Sequence, residues 1–435
     1  MKQVSGNADI MKRLKAFFVN SENIVRDSYI WNTASATIFA LQSAIVLVFV
    51  SRINGLTDAG VFSIAYAVGS LMYYVGEYGV RKYQVSDVNE IMSFSDYHAH
   101  RVTACAITVV VSLLYVANGL LRLGYSPYKA YIVLIICLIK VVEAYSEVFF
   151  GRFQQVGRLD VAAKANVYKV VIGLVACIVC LVITRNLAVS MTVWLLASVV
   201  GLLTSNVAVF KDFGTIESGF NWNKIKKIFI ECFPLFAGYF FLLYVGNAPK
   251  YAIDACMSDK DQACYNFIFM PVFAIGLFAN FIFNPILVNL AHDWDGSNIK
   301  NFKRIVIRQV GVIAGITIMA IAVAMTIGCP ILGFLFNADI MEYKIDLAIL
   351  MVGGGMLALV NFFSVVVTVM RYQKHLIAGY VMLAVIAFLL ANRIVGSYGI
   401  RGATVLYSVL MACLAVIFAV VMTFFIERKR KEVSS

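Results

Sequence analysis

Long apolar stretches follow one another along almost the entire sequence. A helix needs about 20 consecutive apolar residues to cross a bilayer, and a window of that length identifies twelve candidate spans. Because 61% of the 435 residues are hydrophobic and only 14% are Asp, Glu, Lys or Arg, against roughly a quarter in soluble domains, a soluble enzyme is excluded. The predicted spans cover residues 28–51, 58–80, 101–121, 130–150, 165–184, 187–210, 225–248, 263–289, 305–328, 345–370, 375–392 and 401–426.

The cationic residues between these spans are distributed unevenly. When successive connections are assigned to alternate sides, 26 of the 36 Lys and Arg residues lie on the side of the N-terminus. Cytoplasmic loops of membrane proteins carry such an excess, and an even number of spans returns the chain to the side where it began. The sequence therefore predicts a multi-pass protein of the cytoplasmic membrane with both termini in the cytoplasm.

The two halves of the sequence share landmarks. Trp31 and Trp222 precede the first and seventh spans, and segment 58–64 resembles segment 261–267 at the start of span eight. Half-repeats of this kind place a pathway between two lobes. We therefore predict an all-α integral membrane fold, with twelve transmembrane helices in two six-helix lobes that are parallel half-repeats around a central cavity. The predicted parts are a cytoplasmic N-terminal segment (1–27), an N-lobe (28–210), a cytoplasmic linker (211–223), a C-lobe (224–426) and a cytoplasmic tail (427–435).

Span four carries the strongest polar stripe within the predicted membrane region. An ionisable side chain in hydrocarbon costs at least about 2.5–3.5 kcal/mol, so it usually faces a partner or a water-filled cavity. Lys140, Glu143 and Glu147 are spaced three and four residues apart, which places them on one helix face. Two interpretations stay open, namely a cavity lining, or a Lys–Glu pair within the helix with Glu147 reaching the cytoplasmic interface.

Several further polar residues are candidates for a substrate site. Arg52 and Lys250 occupy matching outer ends of spans one and seven, where two cations beside a cleft could attract an anion. Glu77 and Arg81, four residues apart, are predicted to form an ion pair. Interhelical hydrogen bonding is as good an explanation for the asparagines as substrate contact. The cationic candidates are Arg52, Lys140, Lys169 and Lys250, and the polar candidates are Glu143, Glu147, Glu231, Asn247 and Asn280.

Motifs for catalysis and for cofactors are not found in the sequence. There is no G-x-x-x-x-G-K-[ST] motif for ATP binding, and the connections leave no room for a soluble catalytic domain. His98, His100, His292 and His375 are predicted to be solvated residues of cytoplasmic loops. We therefore expect no catalytic residues, no cofactor and no metal site, and a protein that is not an enzyme.

Seven short motifs resemble those of one protein family. They are Asn32-Thr-Ala-Ser35, Ser51-Arg52-Ile-Asn-Gly55, Ala59-Gly60-Val-Phe62-Ser63-Ile-Ala65, Gly76-Glu-Tyr-Gly79-Val-Arg81, Gln84-Val-Ser-Asp87-Val, Gln155-Val-Gly-Arg158-Leu-Asp160 and Asn247-Ala-Pro249-Lys250-Tyr. The stretch that contains them resembles Wzx-type polysaccharide flippases of the multidrug, oligosaccharidyl-lipid and polysaccharide exporter superfamily. The likeness covers most of the first 290 residues.

The resemblance implies a function and partners. It implies that the chain moves undecaprenyl-pyrophosphate-linked oligosaccharide across the cytoplasmic membrane by alternating access, for surface polysaccharide synthesis. The expected partners are the lipid bilayer, the lipid-linked glycan, and a polysaccharide polymerase and glycosyltransferases; no nucleic acid is expected. Spans eight to twelve lack an acidic residue apart from Asp346 at an edge, which argues against a carboxylate cation site in the C-lobe. The alternatives are a small-solute or multidrug secondary transporter, and a membrane enzyme of glycan assembly.

Overall fold

The structure divides the chain into two compact units. It is a computed structural model that describes residues 15–87, 89–216, 221–283 and 286–434, and these residues form helices and turns without a β-strand. Unit 1 ends at Phe240 and unit 2 begins at Phe241. The boundary lies within one helix, whereas the sequence places a linker at 211–223. The lobe boundaries stay a prediction, and residues 1–14 of the predicted N-terminal segment lie outside the described residues.

Unit 1 is built from long helices joined by short connections. Residues 15–19 are helical and precede the first long helix. A π-helical turn, Leu203–Val207, separates two of the later helices. The helices are α1 (Ile24–Asn54), α2 (Leu56–Glu77), α3 (Val80–Ser86), α4 (Phe94–Arg122), α5 (Pro127–Gln155), α6 (Leu159–Thr184), α7 (Leu187–Leu202), α8 (Ala208–Phe210) and the first half of α9 (Trp222–Cys256).

Unit 2 contains the second half of α9 and the helices that follow it. A π-helical turn, Ala324–Gly328, and the 3-10 turns Met341–Tyr343 and Gln373–His375 connect some of them. The helices are α10 (Asp259–Phe283), α11 (Leu287–Asp295), α12 (Ile299–Val323), α13 (Cys329–Phe336), α14 (Lys344–Val369) and α15 (Leu376–Ser434).

Nine stretches among the described residues are long and apolar enough to span a membrane. Helix α5 is also long enough, but Lys140, Glu143 and Glu147 lie within its apolar part. The last stretch covers two of the predicted spans, and Gly399, at φ 58°, interrupts the helix between them. The chain is therefore an all-helical, multi-pass membrane protein, while the number of twelve crossings stays a prediction. The nine stretches are Ile24–Asn54, Leu56–Ser86, Phe94–Arg122, Leu159–Thr184, Leu187–Phe210, Trp222–Cys256, Ile299–Phe336, Met341–Val369 and Gln373–Glu432.

The helix starts follow from local sequence. Ser93 and Asp96 form a capping box at the start of α4, because each side chain satisfies a backbone N–H of the other residue. Helix α5 begins with Ser126 as its N-cap and Pro127 in its first turn, where the missing N–H of proline costs nothing. Asn186 caps α7 by accepting from the Val189 N–H. These polar residues end each connection, so the long apolar stretches begin at defined positions.

Small residues allow α2 to pack closely on α5. A Cβ atom at Gly69 would lie 2.9 Å from Ile136 Cγ2, and one at Gly76 would lie 2.9 Å from Ala144 Cβ. Glycines at a helix interface let two backbones approach each other in this way. The contact buries most of α2 and brings its C-terminal end, with Glu77, beside the polar stripe of α5.

The glycine triplet of α14 also serves packing. Gly353 faces the ring of Tyr407, and a Cβ atom there would lie 2.6 Å from two of the ring carbons. Gly355 faces Thr317, whose Oγ1 would lie 2.2 Å from an added Cβ atom. Helix α14 continues without a break through the triplet. In unit 2 these glycines therefore provide space for neighbouring side chains.

Asp87 organises the connection between α3 and α4. Its carboxylate accepts hydrogen bonds from the backbone N–H groups of Ile91 and Met92, both at 3.0 Å, and from the Tyr97 hydroxyl at 2.8 Å. Partial burial acts to raise the pKa of Asp87, but these three hydrogen bonds outweigh it and hold the pKa below its usual value.

Replacing Asp87 with Asn is expected to lower the free energy of unfolding by about 1 kcal/mol near neutral pH. Since the pKa is lowered in the folded state, the carboxylate stabilises the protein above its ordinary pKa, and this stabilisation is lost as the pH falls through the folded-state value. The difference in Tm between the wild type and Asp87→Asn should therefore shrink below about pH 4. A difference that stays constant with pH would contradict this role of Asp87.

Candidate functional site

The polar stripe of α5 begins with a buried ion pair. Lys140 Nζ lies 2.7 Å from Glu143 Oε2 and donates to the Tyr66 hydroxyl at 3.0 Å. Gln42 Nε2 donates to the other oxygen of Glu143 at 3.2 Å. Lys140 is 2% and Glu143 4% exposed. These contacts agree with the second interpretation of span four, in which Lys140 and Glu143 form an ion pair within one helix.

Glu147, one turn further along α5, has a different partner. Its Oε2 lies 2.8 Å from Arg81 Nη1, and Arg81 Nη2 donates to Gln154 Oε1 at 3.1 Å. Glu77 instead accepts the backbone N–H of Gly79 at 2.8 Å. The prediction of an ion pair between Glu77 and Arg81 is therefore wrong. The reason is that α2 ends at Glu77 and left-handed residues follow at 78 and 79, so the four-residue helical spacing is interrupted.

The Arg81–Glu147 pair lies in the wall of two cavities within unit 1. The larger has a volume of about 560 Å³ and the smaller about 210 Å³. Both are lined by Phe39, Tyr73, Arg81 and Glu147. The larger cavity is further lined by Tyr74, Glu77, Gly79, Lys82, Val85, Gln154 and Tyr239, and the smaller by Asn32, Ser35, Ala36, Phe150, Ala162, Ala163 and Asn166.

Stacked aromatic rings form one wall of the larger cavity. The rings of Tyr74 and Tyr239 are stacked, with centroids 5.7 Å apart and planes 12° apart. Lys82 Nζ lies 4.7 Å from the centre of the Tyr239 ring and also donates to its hydroxyl. Tyrosine combines an apolar ring with a polar hydroxyl, so this wall offers both apolar contact and hydrogen bonds.

Lys169 is buried close to a residue that lines the smaller cavity. It is 2% exposed, it donates to Ser146 Oγ, and its Nζ lies 5.0 Å from the centre of the Phe150 ring. Phe150 and Asn166, one turn earlier on α6, line the cavity, whereas Lys169 does not. A carboxylate within 4 Å of Lys169 Nζ is not found among the described residues.

The lining of these cavities does not include the remaining predicted site residues that the structure describes. Arg52 is exposed in the last turn of α1. Glu231 is exposed at the start of α9, where it accepts from the Tyr83 hydroxyl. Lys250 and Asn247 are buried in unit 2. The side chain of Asn280 lies outside the described residues. Of the eight predicted site residues whose side chains the structure describes, Glu147 alone lines the two cavities.

The structure corrects the prediction for two histidines. His98 and His100 lie within α4, and not in a solvated loop. His98 Nε2 is 2.7 Å from the Tyr145 hydroxyl, and the fully buried His100 ring packs 4.0 Å from Phe229. Helix α4 starts several residues before the apolar stretch that defines its span, because Ser93 caps it there.

Arg81 and Lys82 are cavity residues that sequence reasoning missed. They directly follow the apolar part of span two, where cations are ordinary interfacial residues. Arg101 opens the predicted third span, where a cation is again an ordinary interfacial residue. In the structure it is fully buried and donates to the Gly76 carbonyl. The available signal was the spacing of Tyr73, Tyr74 and Glu77, which lie three and four residues apart and so share one face of α2.

The larger cavity offers a ligand cationic donors and carboxylate acceptors beside aromatic rings. Arg81 and Lys82 supply cationic donors, Gln154 supplies an amide, and Glu77 and Glu147 supply acceptors. Guanidinium and ammonium groups bind phosphate oxygens strongly. Tyrosine rings contact the apolar faces of a ligand while their hydroxyls hydrogen-bond.

Comparison with known proteins identifies the family. The sequence profile of the family described as polysaccharide biosynthesis protein (Polysacc_synt) matches residues 25–290. None of the curated proteins matches the chain.

Similar folds occur among solved structures. An inward-facing multidrug resistance MATE family transporter of the MOP superfamily has a TM-score of 0.67 at 12% identity, over 91% of this chain and 95% of that chain. A MOP superfamily transporter from Pyrococcus furiosus has a TM-score of 0.57 at 14% identity, over 94% of this chain and 96% of that chain. A MATE transporter of Vibrio cholerae in a bent form has a TM-score of 0.57 at 10% identity, over 93% and 98% of the two chains. The fold is therefore that of MATE-like transporters. The chain belongs to the polysaccharide biosynthesis protein (Polysacc_synt) family.

Proposed function

We propose that this protein is a flippase that moves a polyprenyl-pyrophosphate-linked oligosaccharide across the cytoplasmic membrane. The observation that carries the proposal is the larger cavity of unit 1, because it combines Arg81 and Lys82 with the stacked pair Tyr74–Tyr239 in a volume of about 560 Å³. The family match supports a role in polysaccharide synthesis. The substrate named by the resemblance, undecaprenyl-pyrophosphate-linked oligosaccharide, combines the two chemistries that this cavity offers.

The physical task is to carry polar groups past hydrocarbon. A charged group at the bilayer centre costs at least about 2.5–3.5 kcal/mol unless it is paired, and a diphosphate carries more than one charge. Arg81 and Lys82 would pair with the diphosphate, while Gln154 and Glu77 would exchange hydrogen bonds with sugar hydroxyls. The lipid tail would stay in the bilayer, where it loses no hydrophobic contact.

The position of the cavity agrees with the predicted direction of transport. Its polar residues lie at the end of α2, in α3, and at the end of α5, which are ends that the charge distribution assigns to the cytoplasm. A lipid-linked glycan made in the cytoplasm would meet this cavity first. We propose that release on the outer side follows by alternating access, and that polymerase and glycosyltransferases of the same pathway are functional partners. Arg52 and Lys169 stay proposed contacts of the substrate, whereas Lys140 is already paired with buried Glu143 and Lys250 lies buried in unit 2.

The proposal can be tested in liposomes. The purified chain would be reconstituted with a lipid-linked oligosaccharide that carries a fluorophore on its glycan, and an impermeant quencher would be added outside. Without protein, only the outer-leaflet glycans should be quenched. With protein, the protected fraction should fall toward zero, under an imposed proton or sodium gradient if one is needed. A protected fraction that never changes would contradict the flippase function.

A multidrug transporter is the second candidate, because the solved structures with this fold include multidrug resistance transporters. The same liposomes distinguish the two functions. A multidrug transporter should move a lipophilic cationic dye and leave the labelled glycan in place. A flippase should move the glycan, and excess dye should not compete with it.

A further inference from the structure

A buried lysine of unit 2 has no anionic neighbour. Lys250, on α9, is 5% exposed, and its Nζ lies 4.2 Å from the centre of the Phe269 ring on α10. Within the described residues, no carboxylate oxygen lies within 4 Å of this nitrogen and no acceptor bonds to it. Asp346 is held by Arg401, with Nε–Oδ1 at 2.5 Å and Nη2–Oδ2 at 3.1 Å.

Two tyrosine rings pack on the same phenylalanine, and both of their hydroxyls are buried. The ring of Tyr265 lies 5.8 Å from the Phe269 ring, and the ring of Tyr407, on α15, lies 5.0 Å from it. Both tyrosines are fully buried, and their hydroxyl oxygens have no hydrogen-bond partner in the part of the chain that the structure describes. The amide of fully buried Gln262 is likewise without a partner there. Gln262, Tyr265 and Phe269 share one face of α10, since they are spaced by three and four residues.

These groups are mainly donors that lack an acceptor. A buried hydroxyl or amide without a hydrogen bond is destabilising, and native proteins leave few such groups. A buried ammonium is more costly still unless it is paired, and contact with an aromatic face compensates only a part of that cost. The close approach of Gly353 to Tyr407 holds this ring in place, so the hydroxyl cannot simply turn toward solvent.

We propose that Lys250, Tyr265 and Tyr407 form a binding site for one small monovalent anion, of the size of chloride or bromide. A single ammonium balances one negative charge, and the two phenol groups supply neutral donors. Because all three side chains are nearly fully buried, the site would hold one small anion and not a bulky or doubly charged headgroup. The site lies within unit 2, and the inference does not depend on the identity of the transported substrate.

The site can be tested by equilibrium binding of radioactive chloride (³⁶Cl⁻) to the purified full chain in detergent. The expected result is saturable binding of about one chloride per chain, displaced by bromide but not by sulfate or phosphate. Lys250→Met should abolish binding. Tyr265→Phe and Tyr407→Phe each remove one donor and should weaken binding by about tenfold, since a hydrogen bond to a charged group is worth at least that factor.

Matched variants at exposed positions of unit 2 control for the substitutions. Lys260→Met and Tyr398→Phe change the same residue types outside the site and should bind chloride as the wild type does. If Lys250→Met fails to fold, the two Phe variants decide, because they keep the shape of the side chain.

Three results would overturn the proposal. One is the absence of saturable chloride binding, as expected if water alone satisfies the donors. Another is unchanged affinity in both Phe variants. The third is displacement by phosphate as effective as displacement by bromide. The measurement needs no transport, so its failure would leave the proposed flippase function untouched, and a failed flippase assay would leave this site untouched.

Discussion

Replacing Lys140 with Met is expected to lower the free energy of unfolding by about 3–5 kcal/mol. The reason is that Glu143, 4% exposed, loses the ammonium 2.7 Å from its carboxylate and keeps only the weaker contact with Gln42. The abundance of folded protein in the membrane and the Tm in detergent both measure this effect.

Replacing both partners should restore most of the loss. In Lys140→Met/Glu143→Gln neither position carries a charge, and the new amide oxygen can still accept from Gln42 Nε2. Neutral replacement of a buried pair often costs little. Since Lys140 does not line either cavity of unit 1, we expect the double variant to transport glycan at close to the wild-type rate.

A surface pair provides the control for this prediction. Arg428 and Glu432 form an exposed i,i+4 pair on α15, and Arg428→Met should change stability by less than about 1 kcal/mol. A double variant at Lys140 and Glu143 that is fully folded but inactive would contradict the structural role. It would return Lys140 to the substrate contacts that the sequence predicts.

Replacing Arg81 with Glu is expected to reduce the rate of glycan-lipid translocation by at least about tenfold. The substitution places a second carboxylate beside Glu147 and removes a cationic donor from the wall of both cavities. Loss of one hydrogen bond to a charged group, about 1.5–3 kcal/mol, corresponds to a factor of ten or more. The liposome assay with labelled glycan measures the rate per folded molecule.

Exchanging the charges of Arg81 and Glu147 separates an effect on folding from an effect on substrate binding. Arg81→Glu/Glu147→Arg restores an ion pair across α3 and α5, so the amount of folded protein should recover. The translocation rate should recover only in part, because the cation then lies on a different helix. Lys211→Glu makes the same change of charge at an exposed position of unit 1 and should transport normally. A normal rate in Arg81→Glu would remove Arg81 from the substrate path.

The family and the class of fold could be predicted from the sequence because their signals are local. Apolar stretches of about 20 residues identify membrane helices wherever those helices pack. Caps such as Ser93 and Ser126 fix helix starts through contacts within one turn. Short motifs, such as Gln84 to Asp87, carry the family resemblance without any knowledge of the tertiary structure.

The candidate site could be predicted only in part. The three-residue spacing of Lys140 and Glu143 places both on one face of α5, but it does not tell whether they face each other or a cavity. The sequence makes Glu147 a candidate cavity residue with a second interpretation open, and it pairs Arg81 with Glu77 instead of Glu147. That assignment assumed a continuous helix across residues 78 and 79, where the backbone is left-handed.

The sequence alone determined that this chain crosses the membrane many times as helices, because the cost of burying backbone polar groups in lipid leaves few other structures. It also determined which family the chain belongs to. Only the tertiary structure decided which charges neutralise each other and which face a cavity, since those pairs join residues far apart in sequence. Arg81 and Glu147, 66 positions apart, meet only because glycines allow α2 to pack closely on α5.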